Sequence, residues 1–179
     1  MLATSAYLIV FRIVHILAAI AWGGSVFLFV LYVQPSAAAI GPAGAPFMRE
    51  LVGARRLVDR LLMLATATIV GGLFLYWHDA GGFGGVADFA SQKNGAVLTV
   101  GAVSAIVAYL IGLVGTRPKG IRFMALAGQV AQAAQAGGPP PPELVAEMQA
   151  TQRALTLLAR LNLTFIAIAA FAMATWRYW

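Results

Sequence analysis

Four long apolar stretches dominate the chain and limit what it can fold into. They run over about residues 6–33, 61–77, 96–114 and 155–176. An α-helix needs roughly 20 apolar residues to cross a bilayer, and inside lipid only helices and closed barrels satisfy their backbone hydrogen bonds. The sequence therefore predicts an all-α fold, a bundle of four transmembrane helices that forms one integral membrane domain over residues 1–179.

The composition excludes the usual soluble classes. Hydrophobic residues make up 61% of the chain and charged residues 10%, against about 45–50% and about 25% in soluble domains. The absence of Cys excludes disulfides, thiolate metal sites and iron–sulfur clusters. We expect the first apolar stretch to be retained, because it is too long for the core of a signal peptide and no basic region precedes it.

The basic residues are divided unequally between the two ends of the predicted bundle. Nine of the 12 fall between spans one and two or between spans three and four: Arg49, Arg55, Arg56, Arg60, Arg117, Lys119, Arg122, Arg153 and Arg160. Loops rich in Lys and Arg stay in the cytoplasm. We therefore expect an N-out, C-out protein of a bacterial cytoplasmic (inner) membrane. This placement explains the net charge of +6 without a nucleic-acid partner.

The segments between the spans predict an extension on the cytoplasmic side. Gln34–Gly44 is interpreted as a Pro/Gly/Ala connector, and Ala45–Asp59 as a short amphipathic helix at the lipid headgroups. Thr116–Gly120 is expected to break the chain after span three. Residues 121–136 are helical in character, Gly137–Pro142 ends that helix, and the next helix runs into span four. The resulting helical hairpin is either a spacer or a docking surface for other membrane subunits.

Ionisable groups inside a membrane are costly, so each one is a candidate for function. The first span contains Arg12 and His15, and the second ends at His78 and Asp79. These are the only two histidines of the chain. No paired carboxylates or other catalytic set accompany them, so the polar groups point to a bound cofactor or metal.

The two histidines are expected at nearly the same depth. Gln34 and Arg60 are taken as the cytoplasmic boundaries of the first two spans, 19 residues from His15 and 18 residues from His78. At ~1.5 Å per residue, both histidines would lie roughly 27–29 Å from that boundary. Two helices that each carry a His at one level can hold a b-type haem. Arg12, close to His15 on the same face, would pair with a propionate.

The leading hypothesis is an electron-transfer protein that holds haem b between His15 and His78, near the outer face of the inner membrane. It would work with a quinone or a periplasmic redox partner, alone or as a subunit of a respiratory complex or a homo-oligomer. Copper bound by His15 and His78, with Asp79 as a further ligand, is an alternative. A cofactor-free accessory or assembly subunit, whose main contribution is packing, is a third hypothesis.

A motif in the first span resembles known membrane proteins. His15, Trp22, Gly23 and Gly24 form an H-x6-W pattern followed by glycines. This pattern resembles the start of the copper-resistance D (CopD) family and of the HemJ-type protoporphyrinogen oxidases. The resemblance covers about residues 7–78 and implies a four-helix membrane unit that handles copper or haem.

The resemblance also implies roles for individual residues. In HemJ-type proteins the matching histidine is implicated in haem binding, which carries over to His15. In the CopD family the same position is a candidate metal contact. Trp22 matches the motif and is expected to pack against the cofactor site. A HemJ-like oxidase is therefore a fourth hypothesis.

Overall fold

The computed structural model describes residues 2–179, with side chains for residues 6–41 and 43–179. The described part is almost entirely helical and contains no β-strand, which confirms the all-α prediction. Its helices are α1 (Leu2–Leu28), α2 (Gln34–Ala39), α3 (Gly44–Met48), α4 (Leu57–Asp79), α5 (Val86–Ser91), α6 (Lys93–Leu110), α7 (Arg117–Gln135) and α8 (Pro142–Thr175). Four helical stretches are long and apolar enough to cross a membrane: Ala6–Ala39, Leu57–Asp79, Lys93–Gln135 and Pro142–Tyr178.

The first and third spans extend beyond the residues expected to end them. A π-helical segment over Phe29–Val33 joins α1 to α2, and another over Ile111–Thr116 joins α6 to α7. The predicted break over Thr116–Gly120 was therefore wrong, and the predicted connector over Gln34–Gly44 is correct only for residues 40–43, which follow α2. In both places a proline lies at the start of the following α-helix, a position where its missing N–H is tolerated.

The chain between α2 and α4 is only partly the amphipathic helix predicted over Ala45–Asp59. Helix α3 is followed by π-helical Arg49–Ala54, and Arg56 then adopts a left-handed conformation with φ of 50° that ends the segment. The Arg56 side chain donates to Asp59 at 3.1 Å, and Arg117 donates to the other carboxylate oxygen at 2.8 Å. Asp59 thus ties the start of α4 to the start of α7.

The four spans are arranged as two tight antiparallel pairs. Helix α1 packs along α4 and α6 packs along α8, whereas contacts between the pairs are sparser. Gly101 shows why α6 and α8 approach so closely: a Cβ at this position would lie 3.0 Å from the Cβ of Ala172. Small residues let membrane helices pack backbone against backbone. The looser seam between the pairs leaves room for two cavities.

The two ends of the bundle differ in character. Helix α1 begins and α8 ends at one end of the bundle, the terminal end. The opposite end, the basic end, contains the ion pairs of Asp59 with Arg56 and Arg117. Beyond the basic end α7 packs on α8, and Arg122 contacts Glu147 at 2.7 Å. The chain turns at Gly137, with φ of 81°, before the long helix α8. The cytoplasmic hairpin extension and the N-out orientation stay predictions.

Candidate functional site

The imidazole of His15 lies in a notch in the surface of α4. The notch exists because Gly71 and Gly72 have no side chains. A Cβ on Gly72 would lie 2.7 Å from Cε1 of His15, and a Cβ on Gly71 would lie 3.2 Å from the Cβ of His15. The sequence pair Gly71–Gly72 therefore determines where the ring can sit, as expected for glycines at a close helix contact.

One hydrogen bond orients the ring. Nδ1 of His15 donates to the backbone carbonyl of Thr68 at 2.7 Å. A carbonyl oxygen only accepts, so Nδ1 carries the proton, and Nε2 of the neutral ring presents a lone pair. Among the described residues Nε2 has no hydrogen-bond partner. A histidine that binds a metal is typically held in this way, with its other nitrogen bonded to a carbonyl or carboxylate.

His15 lines a cavity of about 440 Å³ between the two helix pairs. All four spans contribute to the wall, and the cavity reaches the terminal end of the bundle. Its deep part is formed by Ile16, Thr68, Ala105 and Ile106, and its rim by Arg12, Asp79, Trp176, Arg177 and Tyr178. This volume falls within the range of roughly 300–1,000 Å³ that is typical of small-molecule and cofactor sites.

The rim carries two cationic groups and one carboxylate. Arg12 makes no ion pair with any described side chain, whereas Arg177 lies over the ring of Trp176 at 5.2 Å. Asp79 contacts the adjacent His78, with 3.5 Å between Oδ1 and Nδ1. The apolar cavity thus opens through a rim that can pair with carboxylate groups of a ligand.

The structure brings together Arg12 and His15 but not His78. His15 lies level with Gly72, which is six residues before His78, or about 9 Å along α4. His78 is exposed and does not line the cavity. The prediction of equal depth was wrong because Gln34 lies within a continuous helical stretch, so it does not mark the level of Arg60.

Trp22 belongs to the helix core and does not line the cavity of His15. Its side chain is only 6% exposed and packs with Val26, Ala65 and Ala108. It lies seven residues after His15, about 10 Å toward the basic end. Trp22 therefore packs the two helix pairs together on the basic-end side of the cavity and would not contact a ligand in it.

Met173 and Arg177 are among the residues of the site that were missed from the sequence. Met173 lines the cavity from α8, and Arg177 lies at its rim. Arg177 could have been identified from the sequence, since it is the only Lys or Arg near the C-terminal end of span four. Met173 could not, because a single Met in an apolar helix is not distinctive.

The donor set is small. The described residues contain no group of three or more His, Asp and Glu side chains that could hold a metal ion. A ligand at this site would therefore depend on one imidazole, one thioether and the charged rim.

Comparisons with known proteins do not place the chain in a family. No protein-family model matches it, no curated protein is significantly similar in sequence, and no solved structure is significantly similar in fold. The four helices that are long and apolar enough to cross a membrane support a multi-pass membrane protein. The resemblance of residues 7–78 to CopD and HemJ-type proteins stays a prediction.

Proposed function

We propose that this chain is a membrane redox protein that binds haem b in the cavity of His15. The observation that carries the proposal is the hydrogen bond from Nδ1 of His15 to the Thr68 carbonyl, which leaves the lone pair of Nε2 free beside a cofactor-sized cavity. Bound haem would supply one-electron chemistry between its ferric and ferrous states. The protein supplies ligands, orientation and charge.

His15 and Met173 are the two side chains that would hold the haem iron. They reach the cavity from different helix pairs, His15 from α1 and Met173 from α8. Imidazole and thioether together form an established ligand set for low-spin haem and raise its reduction potential. Met173 takes the role first assigned to His78, which lies outside the cavity wall.

The rim is suited to the propionate groups. Arg12 and Arg177 bring two guanidinium groups to the terminal end of the cavity, and guanidinium pairs with carboxylates through charge-assisted hydrogen bonds. The deep part of the cavity is mainly apolar and suits the hydrocarbon face of a porphyrin. A haem in this orientation would have its charged edge toward the membrane surface.

The expected setting is a bacterial inner membrane with the terminal end on the periplasmic side. This orientation follows from the nine basic residues at the opposite end. The haem edge would then face a periplasmic electron acceptor, and a quinone or another membrane subunit would supply electrons. The hairpin of α7 and α8 would be available to a partner subunit or a second copy of the chain.

A reduced-minus-oxidised absorption spectrum of the purified protein in detergent tests the proposal. The protein is produced with haem supplied, and wild type is compared with His15→Ala and with His78→Ala as the matched control. We expect a b-type α-band in wild type and His78→Ala and its loss in His15→Ala. A flat wild-type spectrum, or a band that survives His15→Ala, would overturn the proposal.

Copper is a second candidate because the same cavity combines imidazole and thioether, which are ligands that Cu(I) accepts. His15 and Met173 would bind the ion, with Asp79 at the rim. Elemental analysis of protein purified with added copper distinguishes the two functions. Stoichiometric copper that disappears in both His15→Ala and Met173→Ala, together with a flat absorption spectrum, would favour copper over haem.

A further inference from the structure

A second cavity of about 80 Å³ lies on the seam between the helix pairs, closer to the basic end. Its wall includes Trp22, Val26, Ala65 and Tyr109. Ala65 and Ala108 line this cavity, and Thr68 and Ala105, one turn away on the same helices, line the cavity of His15. The two cavities are therefore separate neighbours along one seam.

Asn162 is the buried polar side chain at this cavity. It is 8% exposed, and its Nδ2 donates to the carbonyl of Ala108 at 2.7 Å. That carbonyl can only accept, so the amide nitrogen must face it and Oδ1 must point elsewhere. Oδ1 is buried and no donor among the described residues reaches it.

Irregular helical turns surround the site. Phe29 and Val30 of one π-helical segment and Gly112 and Thr116 of the other line the same cavity. A π-helical turn inserts an extra residue into a helix and occurs often at functional sites. Here the two segments lie on either side of the seam at the level of Asn162 and form part of the wall of the second cavity.

We propose that the second cavity is a hydration site, in which Oδ1 of Asn162 accepts a hydrogen bond from a bound water. Buried polar groups nearly always have a partner, and a water needs a cavity of only about 10–15 Å³. Tyr109 and Thr116, whose side chains carry hydroxyl groups, line the same cavity. The Tyr109 hydroxyl accepts from Thr66 at 3.2 Å and keeps its own proton to donate, so this hydroxyl and that of Thr116 would be the further polar partners of the water.

Radiolytic hydroxyl labelling in ¹⁸O water, read by mass spectrometry, tests this proposal on the full chain in detergent. Radicals formed from bound water modify adjacent side chains, so the indole of Trp22 reports on the cavity although it is 6% exposed. Phe74, which packs on Phe11 away from both cavities, is the internal reference. We expect clear modification of Trp22, with ¹⁸O incorporation that lags behind that of exposed Trp179.

Two variants make the test specific. Asn162→Leu replaces the acceptor with an apolar side chain of nearly the same shape, and Val26→Phe fills the cavity from α1 without changing Asn162. Trp22 modification should fall to the level of Phe74 in each variant that folds. Failure of Trp22 to be labelled in wild type, or unchanged labelling in a folded variant, would overturn the proposal. The wild-type result stands even where a variant does not fold.

Discussion

The ring of His15 lies directly against the backbone of Gly72, with only 2.7 Å between its Cε1 and the place where a Cβ on that glycine would be. The same ring donates from Nδ1 to the carbonyl of Thr68. The position of the imidazole is therefore set by the absence of a side chain on one residue and by the backbone of another. Both residues lie on α4, so the packing of α1 on α4 decides where Nε2 points.

Substitution at Gly72 should disturb the site more than substitution elsewhere on the helices. Gly72→Ala forces the ring of His15 to move, and overpacking of this kind costs about 1–3 kcal/mol in stability. We expect a lower unfolding temperature in detergent and weakened haem binding in the absorption spectrum.

Gly24→Ala is the matched control for Gly72→Ala. A Cβ on Gly24 would have no heavy atom within 4 Å, and Ala is favoured over Gly inside a helix by roughly 0.5–1 kcal/mol. This variant should be as stable as wild type or more so and should bind haem normally. Equal effects of the two substitutions would show that the notch on α4 is not what positions His15.

Removal of the proposed second ligand should change the spin state of the haem without abolishing binding. Met173→Ala would leave His15 as the one side chain that holds the haem iron, so a low-spin spectrum should become high-spin and the reduction potential should fall. Met63→Ala is the control, since Met63 is 73% exposed and outside both cavities. An unchanged low-spin spectrum in Met173→Ala would assign the sixth ligand to another group.

The charge of Arg12 should raise the reduction potential of a haem in the cavity. A positive charge favours the ferrous state, and at ~10 Å with an effective dielectric constant of ~20 the interaction is worth roughly 1–2 kcal/mol. For one electron this corresponds to about 40–90 mV. Redox titration of Arg12→Gln should therefore give a lower midpoint potential.

Arg60→Gln is the control for this titration, because Arg60 is near the start of α4 at the basic end. The same charge is removed far from the cavity, and screening should leave the potential nearly unchanged. A shift of equal size in both variants would mean that the cavity of Arg12 does not hold the redox centre.

The absence of Cys allows the orientation in the membrane to be measured directly. Gln92→Cys places a thiol between α5 and α6, and Gly138→Cys places one in the turn between α7 and α8. With a membrane-impermeant thiol reagent, spheroplasts should label the first variant and inverted vesicles the second. The reverse pattern would show that the basic end faces the periplasm.

The four spans could be predicted from the sequence because the length of an apolar stretch is a local property. The helix that starts at Pro142 could also be predicted, since proline residues and Gly137 end one helix and favour the start of the next. The π-helical segments that continue the first and third spans could not be predicted. Pro35 and Pro118 indicate an interruption locally, but helical backbone continues through both as the chain packs along its neighbours.

The candidate site depended on relationships that no local pattern contains. Arg12 and His15 are one turn apart on one helix, so their proximity was readable from the spacing. The depth of His15 relative to His78 was not, because helices can slide along one another until small residues such as Gly72 fix their register. Only the packing of four helices shows that Met173 shares the cavity of His15 while Trp22 and His78 do not. The sequence alone determined which segments are helical and apolar, whereas the contacts between segments decided which polar groups meet, because those contacts join residues far apart in the chain.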